Sequence, residues 1–445
     1  MNFKWETAKL GELLELIIDH RGKTPKKMGF DDFHTDGYPV LSAKHVKTEG
    51  LTNLESLRFA NEQMYRKWMK EEVQEGDIIL TSEAPLGELF YIADNKKYLL
   101  GQRVFGLRPN KKIVNPLYLF CWLASRRGQD ALFSKATGST VIGIKQSELL
   151  KIEVDLPPSN IQNKIADISH CLTKKINNGK NKNIILEEMA KSLFKSWFVD
   201  FEPVKAKIAA LDAGGTQEDA ILAAMTAISG KDSSSLIIFK NKHPKKYIEL
   251  REIAELFPSA VQSSDYGYIP QEWKVVRLSD IATLNYGKSL KKTQRINGLY
   301  PVYGSGGVTG CHDEYIVTGP GVIIGRKGSI GTVYWEDNHF FPIDTVYYVL
   351  NDKNTPLVYL YYLLRTLNLH NMNTDAAVPG LNRDNAYRLE VIKPPKDILE
   401  CFSKYAAIFR EDIYINNNLN KTLIDVRDGI IPKLLSGEIS LQERQ

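Results

Sequence analysis

Two short segments of this chain carry residue types that hold phosphate, Gly22-Lys23-Thr24 and Gly287-Lys288-Ser289. A phosphate-cradling loop needs another glycine five positions before the Gly-Lys pair, so that consecutive backbone N–H groups can wrap the anion. Ile17 and Ala282 stand there, so neither segment is a nucleotide loop. Asp265, Glu272 and Lys274 follow the order of a metal-dependent nuclease site, yet they fall where the first half of the chain has only Asn2 to Glu6. The Asp/Asn-Pro-Pro-aromatic signature of amino-methyltransferases is missing, because the two Pro-Pro pairs are followed by Ser159 and Lys396. The eight histidines are scattered, and Cys311-His312 alone supplies too few ligands for a metal. The chain reads as non-catalytic, with no metal and no cofactor of its own.

Binding chemistry is better represented. Lys23, Lys26 and Lys27 return as Lys288, Lys291 and Lys292, with Arg295 beyond, and neither lysine cluster contains an acidic residue. Cations grouped in loops marked by glycine or proline suit contacts to a nucleic-acid backbone. Arg103, Ser139, Lys145, Arg326, Lys327, Asn382 and Arg383 stand in or beside polar loops and have the side chains that read base edges in the major groove. Gly325-Arg326-Lys327-Gly328-Ser329 is basic, whereas the matching Leu80-Thr81-Ser82-Glu83-Ala84-Pro85 is not. The two halves are therefore expected to read different things. The net charge of +5 permits nucleic-acid binding without demanding it.

These loops belong to a duplicated frame. Trp5 aligns with Trp273, Gly87 with Gly331 and Pro157 with Pro394, so the offset between copies falls from 268 to 237. Beyond the prolines the offset stays constant. The variable part of each copy reads as short strands, such as Tyr38 to Leu41, Asp77 to Leu80, Tyr300 to Tyr303 and Val322 to Ile324. Helices are expected over 115–127 and 355–367, begun by Asn-Pro and Thr-Pro. The constant part reads as a long helix in each copy. Its apolar stripe runs through Ile161, Ile165, Ile168, Leu172, Leu186, Met189 and Leu193, and again through Ile398, Phe402, Tyr405, Phe409, Leu423, Val426 and Ile430. That spacing is a coiled-coil seam, and the asparagines in its middle would fix register at some cost in packing.

The fold expected is α+β: two pseudo-repeated α+β domains separated by two long antiparallel helices forming a coiled coil. Boundaries are placed at 1–157, 158–204 (first helix), 205–270 (helical connection and linker), 271–395, and 396–445 (second helix and tail). Within the connection, 204–230 reads as two short helices and 231–264 as a polar linker. Phe194, Trp197, Phe198 and Phe201 end the first long helix, and they suit either packing on the neighbouring domain or docking a partner protein. Four cysteines without a CxxC point to a reducing compartment, no stretch of about 18 apolar residues suggests a membrane span, and the first ten residues do not read as a signal peptide.

The segments Leu193-Phe194-Lys195-Ser196-Trp197-Phe198-Val199-Asp200-Phe201-Glu202-Pro203-Val204 and Ile431-Pro432-Lys433-Leu434-Leu435-Ser436-Gly437-Glu438-Ile439 close the two helices. With the duplicated layout, they resemble the specificity subunit of type I restriction–modification systems, over almost the whole chain. The resemblance implies two target-recognition domains, each reading half of a split, asymmetric double-stranded DNA target, with the helix pair setting the gap. It implies a cytoplasmic complex with two adenine-N6 modification subunits and with restriction subunits. Those partners would supply S-adenosylmethionine, ATP and magnesium chemistry. A coiled-coil protein scaffold, a DNA binder without sequence preference and a self-sufficient modifying enzyme are the alternatives that the residues leave open.

Overall fold

The computed structural model describes residues 5–138, 141–351, 354–373, 380–439 and 441. The chain divides into two compact units: Met1–Gly179 with Asn418–Gln445, and Lys180–Asn417. Each unit combines one α+β domain with about half of each long helix.

The first unit centres on an antiparallel sheet in the order Leu14–Asp19, Val104–Pro109, Ile78–Thr81 and Leu89–Tyr91. A second sheet pairs Arg58–Ala60 with Tyr38–Leu41, and the latter runs parallel to Leu99–Leu100. The second unit repeats both arrangements. Its main sheet runs Asn285–Tyr286, Val346–Val349, Gly321–Gly325 and Val333–Glu336. Its smaller sheet joins Gly307–His312 to Tyr300–Gly304, again with a parallel partner, Phe341–Pro342. Ile78–Thr81 and Gly321–Gly325 are buried along their whole length, which is why they read as continuous apolar runs and not as alternating ones. The alignment also holds at the level of register: Leu80 faces Phe105 as Ile324 faces Tyr347.

The start and end of each domain form a two-stranded antiparallel pair. Glu6–Lys9 lies against Glu153–Leu156, and Lys274–Arg277 lies against Glu390–Lys393. A long helix follows directly in both copies, Ser159–Phe198 and Lys396–Leu435, each of 40 residues. At 1.5 Å per residue each is about 60 Å long. In the first unit Ile161, Ile165 and Ala166 share a core with Ile431, Leu434 and Leu435. In the second unit Ala190, Phe194, Trp197 and Phe198 share one with Ile398, Leu399, Phe402 and Ala406. The pairing is antiparallel in each. The polar middle is cross-linked in the second unit, where Asn183 donates to Asn417 at 2.7 Å and accepts from Asn416 at 3.0 Å. In the first unit Asn420 is buried against Gly179, where an added Cβ would lie 2.4 Å from its Oδ1.

Two expectations need correction. The expected seam passes through Met189, Val426 and Ile430, but these are 50%, 39% and 36% exposed, and Ala190 and Ile431 are buried instead. A regular helix turns slightly more slowly than a strict heptad, so a stripe extrapolated through the polar middle emerges one residue out of phase. The polar stretch 231–264 is not a plain linker. It contains the helices Ser233–Lys242 and Pro244–Leu256, after the two expected ones at Glu202–Asp212 and Gln217–Ser229. The Asp232 side chain caps the third helix by accepting from the Ser235 N–H, and Leu236, Tyr247, Leu250 and Ala254 bury against Ala224 and Met225. Exposed lysines on the outer face mask the helical spacing there. The remainder of 231–264 includes the strand Val261–Ser264, paired with Gly267–Pro270.

Candidate nucleic-acid interface

In the second unit the buried strand Gly321–Gly325 delivers Arg326 and Lys327 to the rim of the main sheet. A Cβ at Gly325 would sit 2.0 Å from the Ser329 carbonyl oxygen, so only glycine allows the turn to fold back this tightly. The Arg326 and Lys327 N–H groups both donate to the Thr345 carbonyl, and Arg326 Nη1 donates to the Asp344 carbonyl at 3.0 Å. The loop carrying Asn382 and Arg383 is tied alongside, because the Leu381 N–H donates to the Arg326 carbonyl at 2.8 Å and Lys327 bridges Gly380. Asn382 caps the short helix Arg383–Tyr387, its Oδ1 accepting from the Asp384 and Asn385 N–H groups. Its carbonyl oxygen is thereby committed to holding Arg383 in place.

Tyr286 lies at the centre of this group. The Arg326 guanidinium is 4.8 Å from the centroid of its ring and that of Arg383 is 4.7 Å away. Arg326 also reaches the ring of Tyr347 at 5.7 Å, and Arg383 that of Tyr387 at 5.8 Å. Cations over aromatic faces are attracted by the ring quadrupole. Arg383 has five N–H donors, and among the described residues none of them meets a protein acceptor; its Nε is fully buried in that state. Arg326, Lys327, Asn382 and Arg383, distant in sequence, thus form one cluster.

The first unit builds the matching rim differently. Asp19 faces Phe105 at the register position where Tyr286 faces Tyr347. Its carboxylate takes a bidentate pair from Arg21, Nε to Oδ1 at 2.9 Å and Nη2 to Oδ2 at 2.8 Å. Arg21 Nη1 donates to the Ile144 carbonyl at 3.3 Å, and the guanidinium stacks 3.9 Å from the centre of Phe105. Arg103 adopts a left-handed backbone with φ of 62° and pairs with Glu83 at 3.1 Å. Lys145 is exposed at the start of Gln146–Leu149, on a loop tied in by the Ile144 N–H donating to the Ser82 carbonyl. Ser139 lies outside the described residues.

The repeated lysines are close to these rims. Lys26 and Lys27 lie on the 3-10 turn Lys26–Met28, and Lys292 begins the corresponding turn Lys292–Gln294 after Lys291. Lys288, Lys291 and Lys292 are exposed. Lys23 is less free, since its Nζ donates to the Trp68 carbonyl at 3.2 Å, and burial together with Lys70 lowers its pKa. Arg295 is engaged too, with Nη1 donating to Thr309 O and Oγ1 at 2.9 and 3.2 Å. Burial, helped by the charge of Lys23, pushes His20 down to about 4. Beside this loop lies a cavity of about 350 Å³ whose walls include Lys23, Phe33, His45, Arg58 and Trp68.

The aromatic run at the end of the first long helix is not open to a partner. Phe194, Trp197 and Phe198 are at most 7% exposed, and they pack with Trp273, Tyr359 and Phe402, while Phe201 lies edge-on to Trp273. One helix stripe could not bury four aromatics, but here a second helix, the start of the domain and Phe257 enclose them. Sequence reading missed Tyr286, Arg21 and Asp19. The signal available was position: they stand within three residues before the repeated Gly-Lys pair.

The profile of the family described as "Type I restriction modification DNA specificity domain" matches residues 2–187 and 270–423, once per copy. The type I restriction enzyme HindI specificity subunit of Haemophilus influenzae is 28% identical over 403 residues, covering 83% of this chain and 88% of that relative. The MjaIX specificity subunit of Methanocaldococcus jannaschii is 25% identical over 378 residues, covering 83% and 78%. The crystal structure of the type I restriction-modification system S subunit from M. genitalium shares the fold, with a TM-score of 0.57 and 15% identity over 97% of this chain and 96% of that one.

Proposed function

Since the chain belongs to the type I restriction–modification DNA specificity family and serves DNA recognition in such a system, we propose that each unit reads one half of a split, asymmetric target. The observation that carries this reading is the pair of matched rims: identical strand orders present an acid-clamped arginine in one unit and an open arginine–tyrosine cluster in the other. Equal frames with unlike chemistry suit two different half-sites. The 40-residue helices, cross-linked by asparagines, suit a fixed gap between them. Lys23, Lys26, Lys27, Lys288, Lys291, Lys292 and Arg295 position the duplex through its phosphates. Arg103, Ser139, Lys145, Arg326, Lys327 and Arg383 approach the bases, and Asn382 orients Arg383.

The chain itself performs no bond chemistry in this reading. It directs two modification subunits, which flip and methylate adenine at N6, and restriction subunits that cleave. S-adenosylmethionine, ATP and magnesium belong to those partners. Apolar residues outside the helix seam offer them a surface: Ile184, Ile185 and Met189 on one helix, Ile408 and Ile415 on the other, each at least 50% exposed. They replace the buried aromatics as the docking candidates. The complex works on cytoplasmic DNA.

The test is base-resolution mapping of adenine methylation in cells carrying this chain with its modification partner, against cells lacking the chain. A split asymmetric motif present only with the chain is the expected result. An assembled complex that leaves no motif would mean a scaffold. As a second check, replacing Lys291 and Lys292 with alanine should weaken binding to all sequences alike. The salt slope should then fall by about 0.9 for each phosphate no longer neutralised.

A further inference from the structure

We propose that Arg383 reads a guanine in the half-site of the Lys180–Asn417 unit, placing its planar donors on the O6 and N7 acceptors of that base; this rests on the reading that the unit contacts DNA. A half-buried arginine without any protein acceptor is unusual, because unmet donors carry an uncompensated desolvation cost. Arg383 is in that state, its Nε fully buried, among the described residues. It is also held firmly. Its backbone begins a helix capped by Asn382, and its guanidinium lies near the rings of both Tyr286 and Tyr387. A second guanidinium, that of Arg326, sits over the same Tyr286 ring, and among the described residues no carboxylate pairs with either. Two like charges around one ring repel, so the site favours an incoming group rich in acceptors.

Both guanine and a backbone phosphate offer two acceptors to one arginine. The geometry favours the base. Exposed lysines at 288, 291 and 292 are available to the phosphates, while Arg383 is half-buried with its guanidinium 4.7 Å from the centroid of the Tyr286 ring. A planar fork fits either pair of acceptors, so the choice of the base rests on Arg383 being half-buried and held beside Tyr286 and Tyr387 while the lysines are exposed. The first unit cannot do the same at this place, because Gln146 occupies the position of Arg383 and the donors of Arg21 are spent on Asp19 and Ile144.

The experiment uses the complex of the chain with its modification subunits. Wild type, Arg383→Ala and Arg383→Gln are compared by methylation mapping and by binding to duplexes changed one base pair at a time. In wild type, one half-site contains a G·C pair at which discrimination is about 10- to 100-fold. Both variants should lose that discrimination at that single pair and keep it elsewhere. Replacing that guanine with 7-deazaguanine, which lacks the N7 acceptor, should weaken binding by wild type and leave the variants unaffected. This arm needs no altered protein, so misfolding cannot explain it. Uniform weakening across all sequences with a shallower salt slope would assign Arg383 to a phosphate and overturn the proposal, as would unchanged specificity. If wild type itself shows no sequence preference, the two-half-site reading falls as well; if wild type is specific but indifferent to Arg383, only this inference falls.

Discussion

Arg21 in the first unit and Arg383 in the second both stand beside the strand that edges the main sheet, yet one is clamped by protein acceptors and the other is left open. Arg21 spends its donors on Asp19 and a carbonyl while lying on Phe105. Arg383 has rings around it and no acceptor among the described residues. The comparison extends to the far end of the helices. Phe194, Trp197 and Phe198 in the second unit occupy the helix positions that Ile431, Leu434 and Leu435 hold in the first, and all six are buried. Trp5 of the first unit, the counterpart of Trp273, donates its indole N–H to the Leu435 carbonyl at 3.0 Å. Duplication has thus kept the packing positions and released the chemistry of the rims. A satisfied arginine supports its own fold, whereas an unsatisfied one waits for a ligand.

The sharpest way to break this comparison is at the helix ends. Trp197→Ala should cost about 3–5 kcal/mol and lower the melting transition of the second unit. If calorimetry found melting unchanged while assembly with modification subunits failed, the aromatic run would be a docking surface after all.

The next test sets the two arginines against each other. Arg21→Ala strands the Asp19 carboxylate and should cost about 2 kcal/mol in denaturant unfolding. Arg383→Ala removes no hydrogen bond to a described residue, only contacts with the rings of Tyr286 and Tyr387, and should cost about 1 kcal/mol or less while altering recognition. Equal losses would erase the distinction between a structural and a reading arginine.

A smaller effect concerns pH. His20 is held neutral by burial, its pKa pushed from 6.5 down to about 4, and burial lowers that of His45 as well. Between those two values the unfolded chain binds more protons than the folded one, so this stabilisation is complete above pH 6.5 and is lost as pH falls towards 4. The first unit should melt earlier at about pH 5 than at about pH 7, and His20→Gln should flatten part of that dependence. A His20 ring seen by NMR to titrate near 6.5 in the folded protein would contradict it.

Much of the frame was legible because it rests on covalent pattern. Repeated Trp5 and Trp273, the paired prolines and the equal distance between them and the helix ends all follow from residue types. The α+β class and the two long helices could be read without coordinates. The details that failed depend on phase and on neighbours. Met189 and Ile430 look like seam residues until the true helical pitch carries them outward, and Leu236 and Tyr247 look like linker until Met225 is placed against them. At the rims, the loops with Arg326 and Arg383 could be nominated from composition. Their meeting at Tyr286 could not, because it depends on a strand pairing between residues about 60 positions apart. The lysine repeat could be read as a charge pattern, but not that Lys23 would turn inward to Trp68.

The paired end strands of each domain carry a last implication. Glu6–Lys9 beside Glu153–Leu156, and Lys274–Arg277 beside Glu390–Lys393, form a narrow stem from which each domain hangs as a closed bulge on the chain. Between Trp5 and Pro157 lie 31 more positions than between Trp273 and Pro394, yet both helices emerge with the same 40 residues. The helix receives the chain from the same doorway whatever the bulge contains. Residues inside can be gained, dropped or replaced without altering the strand pair that hands the chain to the helix or the length of the helix that follows.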